Sequence, residues 1–326
     1  MPVPAGGITD PASRITGLVD SQAPKIKEAF LVAVVAIRDR HTLEQLAALL
    51  ERGQIEEALA ALDRAAEHLA GASQQSLTTA ARGAAEFLTG ALGVTISFNQ
   101  TNVRAVELMQ ASRLELIQQF TAEQRAATRL ALTDGIQRGL NPVEQARAFQ
   151  GSIGLTVKQQ QAVLNYESML RAIGSEDPGG REALTRTLRD KRFDRTVLRA
   201  LEDGDPLTPA QINRMVERYR EKYVAFRART IARTEALRTV HQGTEELYQQ
   251  AIEMGELDAA TLVRKWITAR DERVRGSHRA LNGVEKAIGE PWVTSRGRLR
   301  YPGDPSAPSS EVVNCRCALT TRINAL

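Results

Sequence analysis

The sequence predicts a mainly α fold: an extended helical bundle region, a long connecting helix and a small C-terminal α+β domain. Three observations carry this. Aromatic residues are only 4% of a chain that is 42% apolar, so the core must be built from Ala, Leu, Ile and Val, which suits packed helices better than strands. Helix-capping signatures recur along the chain as far as Thr208. After Gly255 the apolar period shortens and turn residues accumulate.

Residues 1–22, with Pro2, Pro4, Gly6, Gly7 and Pro11, read as an N-terminal arm. Residues 23–92 read as a helical region of three stretches, in which Ile55, Leu59, Leu62, Ala66 and Leu69 draw one apolar stripe and Gly53 and Gly71 mark ends. The run Ala29 to Ile37 is too short to cross a bilayer and lacks a cleavage site, so it reads as a buried helix. Neither export nor a membrane is expected.

Residues 93–250 form the helical middle region. Thr121 with Gln124 makes a capping box for a helix reaching Gly139, Asn141-Pro142 starts one that Gly151 ends, and Thr156 with Gln159 starts one that Gly174 ends. A helix is expected from Arg181 to about Glu202, with seven Lys or Arg residues between Arg181 and Arg199. Thr208-Pro209-Ala210-Gln211 then opens the long connecting helix, through Ile212, Met215, Tyr219, Tyr223 and on to Val240, with Gly243 as a kink.

Residues 251–326 make the α+β domain. Val263 to Thr268 reads as a strand, Arg273 to Leu281 as a short helix, and Trp292–Thr294 with Leu299–Tyr301 as hairpin arms. Val312 to Ile323 reads as a last strand, with Cys315, Cys317 and Leu319 on one face.

The net charge is +4, and it is uneven: from Gln211 on there are 20 Lys+Arg against 14 Asp+Glu, leaving 23 against 25 before. A basic C-terminal part suits nucleic acid or a solvated face. Two cysteines one residue apart argue against a disulfide framework and fit a reducing compartment.

His278, Cys315 and Cys317 are the soft-ligand set of the terminal domain. Zinc in a structural site takes four ligands, so Asp271 or an outside group would have to supply one. Two ligands one residue apart on a strand face are widely spaced, and the competing reading is a pair of core cysteines beside a hydrogen-bonded histidine. Asp271, Arg275 and His278 on neighbouring turns read either as an acid-base group or as a helix cap with its ion pair. Arg296, Arg298 and Arg300 alternate on the hairpin, which suits a phosphate backbone and equally a solvated face. No P-loop, dinucleotide fingerprint or nucleophile elbow occurs. H-x-E and C-x-x-C are both missing, which excludes a zinc deaminase.

Four segments in order resemble the phage Mu F-like family of head morphogenesis, or minor capsid, proteins. They are R-x-x-A-x-T-E (Arg229, Thr234, Glu235), W-x-x-x-x-D-x-R-V-R-x-x-H-x-x-L-x-G (Trp266, Asp271, Arg275, His278, Gly283), Y-P-G-D-P (Tyr301 to Pro305) and N-C-R-C (Asn314 to Cys317). The stretch from about Asn102 to Gly204 also looks like the family's middle region. The resemblance implies a tailed-phage virion component, linked to head assembly and to holding or releasing DNA at the portal. Many members carry cysteines where this chain has Arg275 and His278, so a metal cluster of those relatives is incomplete here.

The resulting expectation is a minor capsid protein and not an enzyme. Its partners would be the portal protein, the major capsid or scaffolding protein and packaged double-stranded DNA, without a membrane. Its place would be the virion head near the portal, and the host cytoplasm during assembly. No cofactor is called for, zinc being the one metal candidate. The alternative is a metal-dependent hydrolase or nuclease centred on Asp271, His278, Cys315 and Cys317.

Overall fold

The computed structural model describes residues 11–92, 96–175 and 178–323. Its helices are α1 (Pro11–Arg38), α2 (Leu43–Glu51), α3 (Ile55–Leu92), α4 (Val103–Gln137), α5 (Pro142–Ser152), α6 (Val157–Arg171), α7 (Asp194–Asp203), α8 (Pro209–Glu253), α9 (Gly276–Arg279) and α10 (Ser309–Val312). The strands are β1 (Leu262–Ile267), β2 (Glu285–Ala287), β3 (Trp292–Thr294), β4 (Gly297–Leu299) and β5 (Ala318–Ile323). The mainly α expectation with a small C-terminal α+β part holds.

The chain packs as two compact units, neither of them a continuous stretch. One comprises the described parts of Met1–Phe30, Leu69–Glu115 and Arg229–Leu326, the other Leu31–His68 and Leu116–Ala228. The chain passes between units inside α1, α3, α4 and α8. Consecutive segments bounded at 22, 92 and 250 do not describe this packing, because long helices contribute each half to a different core.

In the first unit, Leu77, Ala80, Ala81 and Ala84 of α3 and Ala236, Val240, Leu247 and Ala251 of α8 are buried. Small residues let the two backbones approach closely. The closest point is Gly243, where an added Cβ would lie 2.4 Å from the Leu77 carbonyl oxygen. Gly243 therefore serves packing, and α8 runs unbroken past it. Beside this contact Ser76 and Thr239 share a buried hydroxyl hydrogen bond of 2.8 Å.

β1 is the centre of an antiparallel sheet in the order β2-β1-β5, with Trp266 opposite Leu319 and Ile267 opposite Ala318. Its buried face carries Leu262, Arg264 and Trp266. Burying a guanidinium is costly unless its donors are met. Arg264 meets Glu245 of α8 at 2.9 Å and donates to the carbonyls of Ala287, Glu290 and Arg300. One side chain thus ties β1 to α8 and to three points of the loops around it.

In the second unit the capping expectations at Asn141 and Thr156 are met, each cap being a reciprocal pair with Glu144 and Gln159. Thr208 and Gln211 make the same exchange at the start of α8. Thr121 is the exception. The buried stripe Leu116, Phe120, Gln124, Ala127 and Ala131 runs through it, so α4 continues from Val103 without a cap there. Gln124 donates to the Ser152 carbonyl at 3.0 Å and accepts from the Gly154 amide at 2.7 Å.

Other expectations need correction. Residues 11–22 of the expected arm are helical, with Pro11 at the first position, where a missing N–H costs nothing, and Val19, Ile26 and Phe30 forming a buried stripe. Residues 1–10 lie outside the described part. Gly71 sits inside α3 with nothing crowding it. The helix expected over 181–202 divides, because Asp190 accepts the Arg192 amide at 3.1 Å and caps a turn from which α7 restarts at Asp194. Its basic run is partly neutralised within itself, through Arg189–Asp194 and Arg192–Asp190.

Candidate functional site

The four motif segments meet within the first unit. α8 brings Thr234 and Glu235, β1 brings Trp266, the turn after it brings Asp271 and Arg275, and the stretch between α10 and β5 brings Asn314 to Cys317. Thr234 Oγ1 accepts the Asn314 amide at 3.1 Å. Among the described residues Asn314 is one of two non-glycine residues with positive φ, at 56°, a left-handed conformation that asparagine tolerates better than most. It turns the chain between Val313, whose carbonyl accepts from Arg275, and Arg316, which makes a two-pronged pair with Asp271. Arg316 holds the Asp271 carboxyl below its usual range. Gly283, at φ +83°, places its amide 2.7 Å from the Trp266 carbonyl. Glu235 lies 3.7 Å from Arg238, and burial pushes its pKa up. Arg229 is exposed. These residues chiefly clamp one segment of backbone.

That segment differs from expectation. Cys315 and Cys317 precede β5, which starts only at Ala318, and residues 309–312 form α10. Off the strand, the two sulfurs converge: Cys315 Sγ lies 3.6 Å and Cys317 Sγ 3.5 Å from His278 Nδ1. The expectation that Cys-x-Cys spacing holds the sulfurs too far apart fails because the backbone is not a strand. His278 comes from α9, which spans four residues where nine were expected. Its other nitrogen, Nε2, is 2.8 Å from Glu311 Oε2, and Ser277 Oγ donates to both Glu311 oxygens. The Trp266 ring meets the His278 ring edge-on at 5.3 Å.

The set is sealed. His278 is 1%, Cys315 2%, Cys317 3% and Glu311 0% exposed. The Cys317 thiol favours a thiolate at Cys315, with help from His278, and is itself pushed up in return. A carboxylate, an imidazole and a thiol in line are the elements of an activated nucleophile. Burial leaves no room for a substrate, so the arrangement suits a structural centre better.

The set also passes a test as a metal centre. All three ligand atoms lie within 4.8 Å of one another. Zn–S and Zn–N bonds of ~2.3 and ~2.05 Å at tetrahedral angles require S···N edges of about 3.6 Å, which the two S···N distances match. A buried carboxylate behind the ligating histidine is the usual outer-shell support of such a centre. Asp271 is not the fourth ligand, since it is committed to Arg316 and the Arg273 amide.

Arg296, Arg298 and Arg300 are all exposed. β3 pairs with β4 through a two-residue turn, Ser295-Arg296, where the expected arms leave four residues, Ser295 to Arg298. Arg300 is bound to Asp304 at 2.8 Å, whereas Arg296 reaches only to within 3.7 Å of Glu311 and Arg298, on β4, makes no ion pair among the described residues. Sequence reasoning missed Glu311 and Arg264. Glu311 gave no signal in its Ser-rich loop. Arg264 did, since in Leu262-x-Arg264-x-Trp266 it shares the apolar face.

Residues 191–320 match the family model described as Phage Mu protein F like protein. Over this span the chain is similar to the phage Mu F-like family. The span covers the whole clamp and cluster, and the likeness is consistent with a phage head morphogenesis protein. A protein of Enterococcus faecalis (strain ATCC 700802 / V583) named NAD(+)--arginine ADP-ribosyltransferase EFV is 27% identical over 228 residues. That covers 65% of this chain but only 45% of the relative, so this chain spans less than half of that protein's length. No solved structure matches the chain. Among the described residues, no helix is long and apolar enough to cross a membrane.

Proposed function

We propose that the chain is a structural component of a phage head, docking on portal or inner-capsid subunits and assisting head assembly and DNA retention or ejection. The observation that carries this reading is the F-like match over 191–320, whose motif residues are spent on clamping backbone. In this reading the chain acts by assembly, and the burial of His278, Cys315, Cys317 and Glu311 together supports it. Arg296 and Arg298, exposed on one hairpin, are the proposed contacts to DNA phosphates; Arg300 contributes less because Asp304 holds it.

His278, Cys315 and Cys317 would hold a thiophilic divalent cation such as zinc. It would cross-link α9 to the chain before β5, as structural zinc does in small domains.

The test is a nonsense allele in the phage that encodes the chain. The reading expects normal synthesis of capsid proteins but defective or non-infectious particles, rescued by the chain supplied in trans. Full infectivity without the chain contradicts it.

A further inference from the structure

The second unit contains a cleft of about 510 Å³ with no counterpart in the F-like clamp, walled by the end of α1, the end of α4, α5, α6 and the first turns of α8. Ligand pockets span roughly 300–1,000 Å³. Five arginines line it, Arg38, Arg138, Arg147, Arg171 and Arg220, against four carboxylates.

The carboxylates are already committed. Glu167 accepts from Arg138 and from Arg171, each at 2.7 Å, and Asp134 accepts from Arg138 at 3.1 Å. Glu144 is turned onto the Asn141 amide as a helix cap. Glu217 is 3.4 Å from Arg220. Two cations are left short. Arg38 gives one bond, to the Ile153 carbonyl at 3.2 Å, and has no ion-pair partner among the described residues; exposed Arg147 has neither.

The shortage is sharpest where burial makes it costly. The Nε atoms of Arg38 and Arg220 are both buried without an acceptor. Burial lowers the pKa of Arg38, with a smaller contribution from the neighbouring Arg220 guanidinium, against the attraction of Glu217, Glu221 and Asp39. Both arginines are also held in place. Gln150 donates to the carbonyls of Arg38 and His41, fixing the end of α1 on α5. The Arg220 guanidinium lies flat on Gly151, where an added Cβ would come within 2.9 Å of it. Gln160, 1% exposed, leaves its Oε1 without a donor in the same wall.

Fixed, adjacent, desolvated guanidiniums with unused N–H groups are a site built for an oxyanion. A ligand that also carries a hydroxyl satisfies the Gln160 oxygen, and hydrogen phosphate does both. We propose that this cleft binds a phosphate group between Arg38 and Arg220, with Arg147 at its rim. The recess is walled by five helices. It suits free phosphate, a small phosphomonoester or a phosphorylated chain end.

The test is titration calorimetry and thermal unfolding of the full chain at pH 7 and constant ionic strength, with phosphate replacing chloride. Phosphate is expected to bind and to raise the melting temperature, and sulfate, which lacks the hydroxyl, to do so less. Arg38→Gln should weaken phosphate about tenfold or more, the value of a charge-assisted hydrogen bond. Arg147→Gln, at an exposed position, keeps the test valid should the first variant fail to fold, and should also weaken binding. An oligonucleotide with a 5′-phosphate, compared with the same one lacking it, shows whether a nucleic-acid end competes or whether the source is a small molecule. No phosphate response in the unmodified chain overturns the proposal, as does a response unchanged in both variants.

Discussion

Glu311 Oε2 stands 2.8 Å from Nε2 of His278, while Nδ1 of the same ring faces both cysteine sulfurs. The negative carboxylate so close to Nε2 favours a proton there and a free Nδ1 by electrostatics, although the ring N–H is not aimed at it as a hydrogen bond. Titration with Co²⁺ should therefore give a thiolate charge-transfer band saturating at one equivalent. Cys315→Ser should abolish it, and Glu311→Gln should weaken metal affinity about 10- to 100-fold. A chain that shows no band and takes up no zinc holds a purely packed cluster.

Gly243→Ala distinguishes a packing glycine from a flexible one. In an exposed helix interior the change would stabilise by about 1 kcal/mol. Here the new Cβ meets the Leu77 carbonyl at 2.4 Å, and overpacking of this kind costs about 1–3 kcal/mol. Denaturant unfolding should show a loss. A gain would mean that α3 and α8 separate easily.

Arg264→Met keeps the length of the side chain but leaves Glu245 and three carbonyls without their donor. Breaking a buried pair from one side costs about 3–5 kcal/mol. The same measurement should show a cost of that order. A loss below about 1 kcal/mol would show that water replaces the guanidinium.

Glu167 carries a pH signature. Burial acts to raise its pKa, but Arg138 and Arg171 outweigh it and hold the carboxyl below 4.5. A carboxyl depressed in the folded state adds stability that is complete above its unfolded value and is lost as pH falls through the folded one. Stability should thus fall below about pH 4.5, and Glu167→Gln should be less stable at pH 7 yet lose less on acidification. Parallel pH curves for the two chains would contradict this.

The helical part of the fold was legible where local chemistry decides. The boxes at Thr156 and Thr208 are made by residues three apart, and the structure keeps them, as it keeps the helix start at Asn141-Pro142. Thr121 and Gln124 carry the same pattern, but a buried stripe on both sides overrides it. The cluster was half legible. Its ligands are of chemically distinctive types, whereas their convergence depends on the turn at Asn314 and on α10, which end the strand pattern before it begins. Glu311 and the Arg38–Arg220 cleft were invisible, because each is defined by partners more than 30 positions away.

The head-protein reading is tested most directly by quantitative mass spectrometry of purified mature virions, expressed as copies of this chain per portal ring. The account predicts a small, reproducible number. Absence of the chain from mature particles would contradict it.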